Sequence, residues 1–123
     1  MKLSIVLTCG ATSLVGKEGQ PVKIFTDGTA VICSAAADEA VGVLEVAGGI
    51  GAPVSVCVEG QPSAGLLVSG TVMRGQFATV AAAGTAFTGG KVDASVFLGI
   101  FLENGVAGDY VPAVTFPGIK HKA

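Results

Sequence analysis

Short apolar runs recur roughly every 8–12 residues along this chain, with glycine- and proline-containing turns between them, the pattern of a β-sandwich or small barrel. Pro21-Val22-Lys23-Ile24-Phe25 alternates and stops at the turn dipeptide Asp27-Gly28. Ala30 to Ser34 follows, so the two runs predict a hairpin. Ala40 to Glu45 predicts a strand, Gly48-Gly49-Ile50-Gly51 a turn, and Val54-Ser55-Val56-Cys57-Val58 a strand of strict alternation. Beyond Gly60-Gln61-Pro62 the strand-like runs are Gly65 to Val68, Thr71 to Met73 and Phe77 to Val80. Ala81 to Lys91 is small and polar and predicts a loop. Phe97 to Leu102 and Asp109 to Phe116 form the last pair, and Pro117-Gly118 ends the pattern. No window sustains a helical period with caps. The one helix the pattern admits is short, near Ala35 to Glu39.

A weak internal echo runs through this pattern. Val41-Gly42-Val43-Leu44 is followed 57 residues later by Leu98-Gly99-Ile100-Phe101, and Gly48, Gly51 and Val54 fall on Gly105, Gly108 and Val111. Four identities are thin support for a duplication. They predict two hairpins of one geometry, with glycine at turn positions that need a positive φ.

At 123 residues the chain has the length of one domain. We expect residues 1–14 as an N-terminal strand or arm, 15–118 as an all-β domain (barrel or sandwich, with Gly-rich hairpins), and 119–123 as a short basic tail. Lys+Arg minus Asp+Glu is 7 − 9 = −2, too weak and of the wrong sign for a protein that must neutralise nucleic-acid phosphates. Half the residues are hydrophobic, which excludes disorder by low hydrophobicity. The longest apolar stretch, Ala40 to Val58, contains Glu45, Pro53 and several glycines, so no membrane-spanning helix of about 20 apolar residues fits there. Met1-Lys2 followed by Leu3 to Ala11 is a poor secretory leader, with one Lys, a short apolar core and Thr8 where a small residue belongs. Cys9, Cys33 and Cys57 are odd in number and too dispersed for a metal site or a disulfide framework, and read as reduced, small apolar side chains on strands.

The chemical motifs fail one by one. Gly84-Thr85-Ala86-Phe87-Thr88-Gly89-Gly90-Lys91-Val92 has Thr85 where a phosphate-binding loop needs its first glycine, and Val92 where it needs Ser or Thr. Gly49-Ile50-Gly51 lacks the third glycine of a dinucleotide fingerprint. The sole histidine, His121, lies in the terminal Lys-His-Lys tail, a poor place to hold a general base. Asp38-Glu39 are adjacent and on an extended segment point apart, so they form no carboxylate dyad. A biotin or lipoate carrier would need a lysine on its hairpin turn. Val72-Met73-Arg74-Gly75 offers Arg74 instead. We expect no enzyme, no cofactor and no metal.

The second half carries a resemblance. Val41-Gly42-Val43 is followed by Ser69-Gly70-Thr71-Val72 and Arg74-Gly75-Gln76-Phe77. The closing run is Leu98-Gly99-Ile100-Phe101-Leu102-Glu103-Asn104-Gly105-Val106-Ala107-Gly108-Asp109-Tyr110-Val111-Pro112-Ala113-Val114. In this order residues 20–116 resemble the capsid decoration (cement, or head-stabilising) proteins of tailed bacteriophages. The chain departs from them in lacking an Asp-Gly turn within Ala81 to Ala94, and in having Phe101 where they carry a small residue. The resemblance implies a structural virion protein on the outside of the assembled shell, made in the host cytoplasm. It also implies a phage major capsid protein as partner, and a homotrimer at three-fold positions. A mean hydropathy of +0.72 in so short a chain agrees, because some apolar surface should then be buried against partners. The alternative reading is a secreted or surface-exposed bacterial interaction module. Capsid or protomer contact is expected at Leu3, Ile5 and Leu7, the alternating apolar set of the N-terminal arm, which would add a strand to a neighbour. The competing reading makes the same residues an internal first strand.

Overall fold

The computed structural model describes residues 2–33, 40–81, 87–90 and 96–120. Among them the chain is all-β, with eleven strands in antiparallel sheets and no closed barrel. The strands are β1 (Leu3–Thr8), β2 (Pro21–Ile24), β3 (Ala30–Ile32), β4 (Gly42–Val46), β5 (Pro53–Glu59), β6 (Leu66–Leu67), β7 (Phe77–Val80), β8 (Phe87–Gly90), β9 (Val96–Phe101), β10 (Tyr110–Val111) and β11 (Ala113–Lys120).

The sheet orders reveal a duplication much fuller than the four identities. The first sheet runs β1-β5-β4-β2-β3. The second half runs β11-β9-β7-β8 with β10-β6 beside it. Matching the two strand orders and registers pairs β1 with β6, β2 with β7, β3 with β8, β4 with β9, and β5 with β10 and β11 together. The registers agree residue by residue. Val22↔Ile32 and Ile24↔Ala30 become Ala78↔Gly89 and Val80↔Phe87. Pro21↔Val43 and Val22↔Gly42 become Phe77↔Ile100 and Ala78↔Gly99. Val43↔Cys57 becomes Ile100↔Val114, and Leu7↔Val54 becomes Leu66↔Val111. Turn bonds repeat as well: Gly51 N–H donates to Cys9 O at 3.1 Å, and Gly108 N–H to Val68 O at 2.9 Å. A parallel bridge brings the end of β1 to β3 (Cys9↔Ala30), and its equivalent joins Val68 to Phe87.

Each repeat has its own core. Cys9, Leu14, Val22, Ala30, Leu44, Val54 and Val56 form the first, and the equivalent Val68, Val72, Ala78, Phe87, Phe101, Val111 and Ala113 form most of the second. The second core also takes in Cys33, Ala40 and Val43 from the first repeat, which ties the halves together. Between them, Gly60 and the fully buried Thr115 exchange backbone hydrogen bonds of 2.9 and 2.6 Å. The Thr115 hydroxyl also donates to Gly60 O at 3.1 Å.

Several expectations need correction. Part of the loop expected over Ala81 to Lys91 is β8, paired to β7. Phe87-Thr88-Gly89-Gly90 has too little periodicity to show as a strand, and pairing with Phe77–Val80 supplies what its side chains lack. Pro117-Gly118 does not end the pattern, because β11 continues to Lys120. The register instead shifts between Thr115 and Ile119, and Pro117 occupies the irregular stretch where a missing N–H is tolerated. Thr71 to Met73 is a single bridge, Val72↔Gly105, rather than a strand. The run Asp109 to Phe116 is split by Pro112 into β10 and β11. The hairpin at Asp27-Gly28 forms as expected. The short helix expected near Ala35 to Glu39 lies outside the described residues.

Candidate interaction surface

The N-terminal stretch lies in the chain's own sheet. β1 pairs antiparallel with β5 from Leu3↔Glu59 to Thr8↔Pro53 and forms the edge of the five-stranded sheet. Ile5 and Leu7 are half-buried against the first core, and Leu3 is exposed. Of the strand or arm expected over residues 1–14, Leu3 to Thr8 is therefore a strand paired within the chain's own sheet. The reason is energetic: its alternating apolar side chains complete a core that includes Cys9 and Leu14, both almost fully buried.

The side of β1 away from β5 is open along Ser4 and Val6, while at its far end it meets β3, where Cys9 bridges Ala30 and Gly10 N–H donates to Ala30 O at 3.1 Å. Cys9 N–H donates to Ala52 O and Gly51 N–H to Cys9 O, so residue 9 points its polar backbone groups at β5. Antiparallel alternation then turns the N–H and C=O of Thr8, Val6 and Ser4 outward. Val6 is 72% exposed. Across the same face, Val6 is opposite Ser55, and Ser55 opposite the exposed Val46.

One polar cluster, which sequence reasoning missed, fixes β1 in place. The Glu45 carboxylate, only 7% exposed, accepts from Lys2 Nζ at 2.7 Å and Ser4 Oγ at 2.9 Å. It also accepts from Ser63 N at 3.0 Å and Ser63 Oγ at 3.2 Å. Burial pushes this carboxyl up, but the hydrogen bonds from Lys2, Ser63 and Ser4 together with the Lys2 charge outweigh it and hold Glu45 below the ordinary glutamate range. The Lys2 ammonium is held above its ordinary range mainly by the bond to Glu45. The signal in the sequence was a lone acid in an otherwise apolar strand, Gly42-Val43-Leu44-Glu45-Val46.

Other polar groups at the surface serve turns. Asp27 Oδ1 accepts from Thr29 N and Oγ1 at 3.0 and 2.6 Å, and these bonds hold the Asp27 carboxyl below its ordinary range. Beside it lies a groove of about 330 Å³ lined by Phe25, Lys23 and Thr12. A wider groove of about 490 Å³ is lined by Met73, Val106, Asn104 and Asp109. There Asp109 Oδ2 accepts from Val106 N at 2.9 Å and Asn104 Oδ1 from Arg74 N at 2.8 Å, so both polar side chains are spent on loop geometry. Among the described residues no three His, Cys, Asp or Glu side chains converge as a metal site, and no helix is long and apolar enough to cross a membrane. Cys9, Cys33 and Cys57 are buried and form no disulfide, and burial pushes the Cys57 thiol up. His121, Asp38 and Glu39 lie outside the described residues, as does much of the Gly84 to Val92 segment. The chain matches no protein-family model and no curated protein.

Proposed function

We propose that this chain is a capsid decoration protein, which binds the outer surface of an assembled phage capsid and stabilises it by bridging major capsid protein subunits. The observation that carries this reading is the combination of a resemblance over residues 20–116 with an uncharged, outward-facing strand edge at β1, which carries the exposed Leu3 and Val6. A long apolar edge is a template for pairing with another chain, and a protein of this role uses such contacts in place of catalytic groups. Binding to the lattice alone stabilises it by mass action. The homotrimer and the place on the capsid exterior belong to the same proposal and rest on the resemblance.

The test is to add purified protein to undecorated heads. Binding should raise the temperature or chelator dose needed to release DNA. No shift, with the protein shown to be folded, overturns the reading in favour of a surface module that never meets a capsid.

A further inference from the structure

The turns Lys17-Glu18-Gly19-Gln20 and Met73-Arg74-Gly75-Gln76 are one turn in two repeats. Gln20 N–H donates to Lys17 O at 3.2 Å, and Gln76 N–H to Met73 O at 3.1 Å. Gly19 N–H donates to Leu44 O at 2.9 Å, and Gly75 N–H to Phe101 O at 2.8 Å. Both glycines have the left-handed backbone, with φ of 85° and 88°. They differ in their first N–H, which Lys17 gives to Leu14 O and Met73 to Gln76 Oε1, and above all in their surroundings. Gly19 and Gln20 are buried: Gly19 O accepts from Leu67 N at 2.9 Å, and a Cβ added to Gly19 would meet the Tyr110 ring and Gly65 O. Gly75 and Gln76 are exposed, a Cβ added to Gly75 would meet nothing within 4 Å, and Gly75 O has no partner among the described residues.

The receiving side is asymmetric in the same way. Leu67 is on the outer edge of β6, and its equivalent, Thr8, is on the outer edge of β1. Gly65 is buried under the Gly19 turn, whereas its equivalent, Val6, is open, and the outward N–H of Thr8 has no partner among the described residues. A closed two-fold relation between the repeats would fill both places. Only one is filled, so the contact of turn on edge runs head to tail, the type that continues into rings or open chains when further copies supply the missing partner. Each chain carries one unused turn and one unused edge, of a kind already fitted together inside the molecule.

We propose that the chain associates head to tail with a second copy of itself, the Met73–Gln76 turn of one copy seating on the outer edge of β1 of the next, with Thr8 N–H donating to Gly75 O. Strand-edge hydrogen bonds supply affinity, and Val6 and Pro53 form the surface on which Gly75 packs, as Gly65 and Tyr110 do for Gly19.

The experiment needs no capsid, so capsid binding is tested apart from it, although a single-copy mass would count against the homotrimer as well as against this contact. Light scattering of the full chain at rising concentration should give a mass above one copy. Thr8→Pro removes the edge N–H without touching a β5-facing bond, and Val6→Lys places a charge on the edge. Each should weaken association at least about tenfold, the loss of one good hydrogen bond, with the melting transition retained. Should Thr8→Pro fail to fold, Val6→Lys carries the test. Mixing a Val6→Cys variant with an Arg74→Cys variant should give a disulfide between copies that neither variant forms alone. The proposal is overturned by a single-copy mass at every concentration, by undiminished association of a folded Val6→Lys variant, or by Val6→Cys crosslinking to itself, which would mean that two β1 edges pair with each other.

Discussion

Gly42 and Gly99 hold the same place in the two repeats, each pressed against the main chain of the strand opposite: Gly42 against the Cys57 carbonyl and Gly99 against that of Val114. In both cases the obstruction to a side chain is backbone, which cannot swing aside. Gly42→Ala and Gly99→Ala should therefore each cost about 2–4 kcal/mol, through displacement of β5 or β11. Gly49 and Gly70 have open space around them, and alanine there should stay within about 0.5 kcal/mol of the parent. Urea unfolding of the four variants checks this, and equal losses at all four would refute the packing argument.

The burial of Glu45 under three hydrogen-bonding residues predicts a pH dependence. Its folded pKa lies below its unfolded one, near the ordinary 4.5, so its contribution is complete above that value. The contribution disappears as pH falls through the lower, folded value. Glu45→Gln should cost about 1–2 kcal/mol at neutral pH, because a neutral amide loses the charge-assisted bonds from Lys2 and Ser63. It should also flatten the fall in stability on the acid side. A melting-temperature profile from neutral to acid pH, run on both proteins, reads the difference directly.

The strands were legible where one face alone is buried. Over Val54 to Val56 the letters alternate because Val54 and Val56 enter the core while Ser55 faces out, and the burial pattern breaks only at Cys57, which is buried on the Ser55 face. β8 was not legible, because its pairing is carried by backbone and Thr88-Gly89-Gly90 has nothing to alternate. The duplication was half legible for a related reason. Glycines persist where a Cβ cannot fit, as at Gly42 and Gly99, so those identities survive. Core positions keep burial rather than identity: Val22 answers to Ala78 and Ala30 to Phe87. The spacing also drifts, from 57 residues between Ala30 and Phe87 to 56 between Val22 and Ala78 and 59 between Leu7 and Leu66, so a fixed offset loses the match. The Glu45 cluster was invisible because Lys2, Ser4 and Ser63 are distant in sequence and meet only through the β1-β5-β4 order.

The exchange of Ala30 for Phe87 predicts that the two cores are not interchangeable. Phe87 is fully buried among Val68, Ala78 and Phe101. Phe87→Ala should cost about 3–5 kcal/mol by opening a cavity. Ala30→Phe should cost about 1–3 kcal/mol by overfilling a core that Val22 and Leu44 already complete. Denaturant midpoints at constant slope distinguish these losses from a change in the unfolded state. A neutral Ala30→Phe would mean that the first core holds unfilled space.

Removal of residues 2–12 separates the two readings of the N-terminus. A detachable arm predicts a folded body that no longer binds its partner. The pairing of β1 with β5 predicts a different outcome, because the deletion takes Cys9 from the first core, uncovers its Ile5 and Leu7 side, and exposes the β5 edge along Pro53–Glu59. It also strips Lys2 and Ser4 from Glu45, leaving that carboxylate with Ser63 alone. An uncovered apolar edge recruits other chains, so the truncated protein should lose its cooperative melt and aggregate. Milder substitutions report the same strand without deleting it: Ile5→Ala and Leu7→Ala should each destabilise by about 1–2 kcal/mol, below the cost of a fully buried site, since both side chains are only partly buried. Leu3→Ala, at a largely solvated position, should leave stability within about 0.5 kcal/mol. A truncated chain that melts cooperatively near the parent temperature would show that β1 is dispensable to the fold, and would return residues 1–14 to the role of an arm.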